Sequence, residues 1–188
     1  MKRIIMAMAI LLYVRGLEAQ VTVPNDRATV MIDGRYEDAE WQGAAKIVVN
    51  DSTSLYAKQD EDNIYLCLRT ATVQPALVMV DLFLTQKGGL LNLHASAKLG
   101  ERSWNGSSYG EWVWWNNSGW QATVARIDRI EERKFLRDEA KEFQLRKSRF
   151  RDKHFRLMMD ISYPPSMVSK YPLAADTTDS KNWVQLKL

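Results

Sequence analysis

Five of the chain's seven tryptophans fall in one stretch, WNGSSYGEWVWWNNSGW, from Trp104 to Trp120. An indole ring offers a flat apolar face. A sugar ring offers an apolar C–H face and a rim that wants hydrogen bonds, so the two surfaces suit each other. On a strand from Glu111 to Trp115, Trp112 and Trp114 share one side, and Val113 and Trp115 share the other. One side must be core, so the cluster is expected to divide. A ligand platform would use Trp104 with Trp112 or Trp114. Asn105, Glu111, Asn116, Asn117 and Lys98 stand close enough in sequence to supply hydrogen bonds. The plainer reading makes these rings core plus a hairpin lid. A third makes them a protein-docking patch, since tryptophan and arginine favour interface hot spots.

A second set of residues is an alternating polar row. Asn92, His94, Ser96 and Lys98 alternate with Leu91, Leu93, Ala95, Ala97 and Leu99, which reads as one strand with a core face and a polar face. Asp81 precedes the row, and Glu101 and Arg102 follow it. The polar face is either a recognition surface or a solvated one. A triad of His94, a carboxylate and Ser96 is conceivable, but no G-x-S-x-G elbow accompanies it and the spacing is unspecific. Glycoside hydrolysis would need two of Asp81, Glu101 and Glu111 to face each other.

Metal and cofactor chemistry leave a thin trace. His94 and His154 stand 60 residues apart with no ligand-spaced partner, which argues against zinc. DEDN at Asp60–Asn63 offers hard oxygens for calcium, but lacks the spacing and terminal glutamate of an EF-hand loop and reads better as a turn. No cofactor is expected; calcium stays possible. RKSRFRDKHFR, from Arg146 to Arg156, carries six bases and one acid, yet the wider segment from Arg126 mixes twelve bases with seven acids. That mixture reads as a solvated edge rather than a nucleic-acid footprint.

These residues belong to a chain of 188 with 46% hydrophobic content, enough for one domain with its own core. One cysteine, Cys67, excludes a disulfide framework. The start, MKRIIMAMAILLYVRGLEAQ, has the layout of a secretory signal: Lys2 and Arg3, an apolar stretch from Ile4 to Val14, and a small-residue cleavage site before Gln20. Its apolar run is too short to span a bilayer, and no second segment of spanning length appears. The expected division is a signal at 1–19 and a single domain at 20–188, secreted or periplasmic. Removing the leader takes away three bases and one acid, so the formal charge falls from +3 to +1. A near-neutral chain argues against a dedicated nucleic-acid binder.

The elements that must position these side chains read as β. SLYAKQDEDNIYLCLRT is a hairpin in which Ile64, Leu66 and Leu68 alternate with Tyr65, Cys67 and Arg69. ALVMVDLFLTQKGGLLNLHASAKL is a second pair turning at QKGG. GEWVWWNNSGWQATVARID is expected to be a third, turning at Asn116–Gly119. EFQL and FRLMMDIS read as strands on either side of a charged, partly helical connection near Glu131–Glu139. Pro164, Pro165 and Pro172 mark a closing loop, and NWVQLKL supplies a last strand. Together these predict an all-β antiparallel sandwich, immunoglobulin-like in architecture.

At IDGRYEDAEWQGAAKI, from Ile32 to Ile47, the chain resembles the opening of family 9 carbohydrate-binding modules and the related DOMON-like sandwiches. Asp33, Gly34, Asp38, Trp41 and Ala44 carry the resemblance. LYAKQDEDNIYLCLR, VDLFLT and FRLMMDIS resemble later strands of that family, so the likeness covers most of the chain after residue 20. It implies a β-sandwich with a short helical turn near the start, in which Trp41 plugs the sandwich. It also implies a non-catalytic module that binds a glycan or another small polar ligand. The ligand residues expected from this chain itself are Trp104, Trp112, Trp114, His94, Lys98, Asn92 and Glu111. The alternative is a structural or protein-interaction module of the bacterial cell envelope, with an envelope protein as partner. Some DOMON-like relatives bind haem through methionine and histidine, for which Met79, Met158 and Met159 with His94 or His154 are the candidates here.

Overall fold

The computed structural model describes residues 20–26, 30–71, 78–115, 118–124, 127–129, 134–135, 140–150, 154–163 and 167–188. The expected leader, Asn116 and Asn117, most of the charged connection, and Pro164 and Pro165 lie outside the described residues. Among the described residues no helix is long and apolar enough to cross a membrane.

The strands are β1 (Gln20–Thr22), β2 (Ala45–Asn50), β3 (Thr53–Gln59), β4 (Asn63–Thr70), β5 (Met79–Gln86), β6 (Gly89–Ala95), β7 (Leu99–Ser103), β8 (Val113–Trp114), β9 (Trp120–Ala122), β10 (Ile127–Arg129), β11 (Lys134–Phe135), β12 (Lys141–Arg146), β13 (His154–Tyr163), β14 (Met167–Tyr171) and β15 (Val184–Lys187). The larger sheet has the order β1-β15-β13-β5-β6-β7-β8, with β14 beside the second half of β13. The smaller sheet runs β2-β3-β4-β12-β9, and β10 and β11 form a short ribbon. β1 is parallel to β15; the other neighbouring strands are antiparallel. The expected all-β sandwich is the fold.

Alternation explains the packing. Leu55, Ala57, Ile64, Leu66, Leu68 and Phe143 of the smaller sheet meet Val80, Leu82, Leu84, Leu93, Leu157 and Met159 of the larger one in a single core. Each of these strands turns every second residue inward. The outer face of the smaller sheet is also covered. Tyr65 and Cys67 pack under Val30, Trp41 and Ala140. Trp41 donates its N–H to the Glu37 carbonyl at 3.1 Å, which makes the expected helical turn a single turn. The structural role expected for Trp41 holds, since its ring is buried.

Four expectations change. The run from Leu91 to Leu99 is not one strand: it ends at Ala95, reverses through Ser96–Lys98, and resumes at Leu99 as β7. Ala97 is therefore exposed in a turn rather than part of the core. The stretch expected as a third hairpin is a crossover. β8 pairs with β7 in the larger sheet, while β9 pairs with β12 in the smaller one. Trp120 drives that switch, because its ring is buried in the shared core. The closing loop contains a strand, β14, and the chain from Gln20 contributes β1; neither was predicted.

Candidate functional site

The outer face of the larger sheet carries the predicted polar residues. Register places Lys170, Asp160, Asp81, His94, Gly100 and Trp114 opposite one another across six strands. Two residues along, a parallel row holds Met158, Phe83, Asn92 and Arg102. Part of this second row is roofed: Trp183, Ala175 and Tyr109 pack over Met158 and Phe83. In the first row Trp114 is exposed and Lys170, Asp81 and His94 are half-buried beside that roof.

Trp112 and Trp114 stack on each other, with ring centroids 5.3 Å apart and planes inclined by 24°. Both rings lie over Gly100. A Cβ built there would meet Trp114 Cε3 at 2.7 Å and Trp112 Cε3 at 3.1 Å. Glycine in a strand interior weakens it, and here it admits two indoles against the backbone. His94 presents its ring to both, edge-on at 5.7 and 5.8 Å. Lys98 Nζ lies 5.5 Å from the Trp114 ring centre, and the Arg102 guanidinium 4.3 Å from that of Trp112. The Trp112/Trp114 side of β8 is thus the side that carries His94 and Lys98.

His94 is held at both nitrogens. Nδ1 lies 3.0 Å from Asp81 Oδ1, and Nε2 lies 2.9 Å from Ser96 Oγ. In the neutral imidazole this assigns Nδ1–H as donor to Asp81 and leaves Nε2 to accept the Ser96 hydroxyl. The order of groups is that of a serine–histidine–aspartate triad, but the serine is engaged otherwise. Its Oγ accepts the Lys98 N–H at 3.2 Å, and its own N–H donates to the Lys98 carbonyl at 3.0 Å. Those bonds close the β6–β7 turn. Two of the amides nearest Ser96 Oγ are therefore spent on the turn rather than aimed at an oxyanion.

Arg102 is half-buried and anchored along one edge. Its Nε donates to Asn92 Oδ1 at 2.8 Å, and the buried Asn92 donates Nδ2 to the Leu82 carbonyl at 3.3 Å. Its guanidinium lies near the Tyr109 ring as well as that of Trp112, 4.9 Å from the Tyr109 ring centre. On the far side of His94, Asp160 Oδ1 is sealed from solvent without a hydrogen-bond partner among the described residues. Burial holds the Asp160 carboxyl above the usual range; Lys170 opposes that rise and Asp81 adds to it.

The structure thus brings Trp112, Trp114, His94, Lys98 and Asn92 together. It sets other candidates apart. Trp104 packs edge-on against Tyr109 rather than beside the stacked pair. Asn105 spends its side-chain oxygen on the N–H groups of Ser107 and Ser108 in its own turn. Glu111 is exposed and makes no hydrogen bond or ion pair among the described residues. Trp115 does not continue the strand: it has φ 58° and stands exposed. The hydrolase pairing of Asp81 with Glu101 fails on parity. Asp81 pairs with His94 and Glu101 with Leu93, so they lie on opposite faces of the sheet. Glu101 instead accepts from Trp120 Nε1 and Arg149 Nη1, each at 2.8 Å.

At Asp60–Asn63, Asp60 accepts the N–H groups of Asp62 and Asn63 and the Tyr65 hydroxyl, so its oxygens shape the turn. These bonds lower its pKa against the opposing effect of burial. Among the described residues no three His, Cys, Asp or Glu side chains gather as a metal site. Met158 and Met159 are buried in two separate clusters, where they serve packing.

Two features escaped sequence reasoning. Gly100 had a legible signal, a lone glycine in a strand pattern, which marks close approach. Glu142 had none. It is buried on β12, and its Oε2 accepts the N–H groups of Asp33 and Gly34 at 3.0 and 2.9 Å. A groove of about 700 Å³ also opens on the smaller sheet, lined by Lys46, Ser54, Tyr56, Arg69 and Thr70. It holds none of the predicted ligand residues. We place the candidate site at the tryptophan face, where aromatic planes and positioned polar groups converge.

Comparison with family models, curated proteins and solved structures yields no match to this chain.

Proposed function

We propose that this chain is a secreted, non-catalytic β-sandwich module that binds a carbohydrate or another small polar ligand on the outer face of its larger sheet. One observation carries the reading. The stacked Trp112/Trp114 pair lies on the same face as His94, Lys98, Asn92 and Arg102, beside the half-buried Asp81 and His94 side chains. Aromatic planes flanked by fixed donors are what sugar recognition requires. The resemblance of the Ile32–Ile47 segment to family 9 modules supports the same reading, and the expected leader supports secretion. A glycan array read with tryptophan fluorescence tests it. Binding is expected in the native chain, and Trp114→Ala and Trp112→Ala should weaken it by about tenfold or more. Retained binding in both variants, or no glycan bound at all, would sink the reading.

A second reading, ester hydrolysis, is favoured by the Asp81–His94–Ser96 hydrogen-bond chain alone. A fluorophosphonate that labels Ser96, with labelling lost in His94→Ala, would favour it over the binding module. The envelope-docking reading draws on a different feature: Val113, Trp114 and Trp115 stand 51%, 44% and 55% exposed at a sheet edge.

A further inference from the structure

We infer that the ligand of the tryptophan face is acidic, a glycan bearing uronate carboxylates held by Arg102 and Lys98; this rests on the binding-module reading above. Much of Arg102 is engaged by the protein. Its Nε edge is anchored on buried Asn92, and its guanidinium carbon lies 4.3 Å from the Trp112 ring centre and 4.9 Å from that of Tyr109. The remaining side, the fork of terminal nitrogens, makes no hydrogen bond or ion pair among the described residues. A guanidinium fixed in this way has lost the rotamer freedom that binding would otherwise cost. Its free fork matches the two oxygens of a planar carboxylate.

Lys98 repeats the theme. Its ammonium lies over Trp114 and has no carboxylate partner among the described residues. Some other cations pair with acids, as Arg149 does with Glu101, buried Lys58 with Asp26 and Lys181 with Asp179, while Lys46 and Arg69, like Lys98, lie over aromatic rings. Of the nearby acids, Glu111 beside Trp112 in the chain makes no hydrogen bond or ion pair among the described residues, while those of the register row stand away from the stacked rings. Asp81 is bound to His94, and Asp160 lies one strand further away, opposite Lys170. Along the register row Asp81 and Asp160 lie on β5 and β13, with Lys170 beside them on β14, while Lys98 and Arg102 lie at the β7 end against the stacked rings. Lys98, Gly100 and Arg102 project from the same side of the chain, so the cations bracket the stacked indoles across about 13 Å of backbone. A sugar lying across the exposed indole edges would thus have a cation at either end, and carboxylates on one glycan chain can meet both.

The experiment titrates the full chain with oligogalacturonates and oligoalginates and with their carboxyl-reduced, neutral counterparts, at low and high salt. Sulfated oligosaccharides form a third arm. The expected result is that a uronate ligand binds at least about tenfold more tightly than its neutral counterpart, and that salt weakens it. Arg102→Gln should cost about 10- to 100-fold for the acidic ligand and a clearly smaller factor for the neutral one. Arg102→Lys keeps the charge but loses the fork, and should not restore the affinity. Lys98→Gln, in an exposed turn, leaves folding intact and should cost a smaller factor. Thermal melts of each variant separate lost binding from lost fold. Equal binding of acidic and neutral glycans, with Trp114→Ala still damaging, overturns the acidic ligand and leaves the binding module standing. Binding of sulfated but not uronate sugars overturns the carboxylate assignment. Binding of no glycan in any arm removes both.

Discussion

At the scale of single residues, the most informative side chain is one the ligand does not need. Asp33-Gly34 was legible as a turn pair, and Gly34 does have φ 83°. Its purpose was not legible. The turn presents two backbone N–H groups to Glu142, a partner 108 residues away from Gly34. Burial lifts the Glu142 carboxyl from an ordinary 4.5 to about 7; the Gly34 and Asp33 amides resist that rise, and the charges of Glu40 and Asp33 add to it. Its Oε1 is buried without a partner among the described residues. The sign follows from linkage. A carboxyl whose folded value is raised binds its proton more tightly in the folded state, so its contribution is fully present below about 4.5 and is lost as pH rises through about 7. The loss is on the order of 3 kcal/mol. Melts from pH 5 to 8 should therefore show native stability falling relative to Glu142→Gln, which keeps an acceptor for the two amides but does not titrate. Parallel curves would refute the assignment.

At the scale of elements, period-2 alternation was enough to find β3, β4, β5, β6, β13 and β15. It failed where parity carries no information. Ala95 pairs with Leu99 across a three-residue turn, so the inward residues stay odd-numbered before and after the reversal. A continuous strand and a tight hairpin then look alike in sequence. Alternation failed again after Trp114, because it cannot say which sheet the next strand joins. The platform itself was half legible: the shared side of Trp112 and Trp114 was readable, but the glycine beneath them was read only afterwards. That glycine yields a prediction. In Gly100→Ala the new methyl would fall within 3 Å of the Trp114 ring. The atoms it meets are ends of surface side chains, so the rings should lift while β7 stays paired. The expected outcome is loss of the exciton couplet of the stacked indoles in far-UV circular dichroism and weakened ligand binding, with stability changed by no more than about 1 kcal/mol. An intact couplet would show that the rings do not rest on Gly100.

At the scale of the molecule, the two faces of the smaller sheet belong to cores of unequal size. The inner face joins the sandwich core. The outer face carries a separate, smaller cluster of Val30, Trp41, Tyr65, Cys67 and Ala140, closed by the segment that bears the Asp33-Gly34 turn. That segment is tied down by the amides on Glu142, by Lys58 reaching Asp26 and the Glu40 carbonyl, and by the Ala140 N–H bonding to the Gly34 carbonyl. Few buried apolar contacts hold it compared with the sandwich, so it should open by itself at a lower free energy than global unfolding. Cys67 reports on this because it is fully buried beneath that segment, and burial pushes its thiol pKa up, leaving it inert while covered. Thiol labelling in low denaturant should therefore proceed through a local opening with a weaker denaturant dependence than global unfolding. Leu82→Ala, in the sandwich core, should lower global stability by about 2–5 kcal/mol and barely change the labelling rate. If Leu82→Ala speeds Cys67 labelling by its full cost, cover and sandwich open as one unit, and the division into two cores has no energetic meaning.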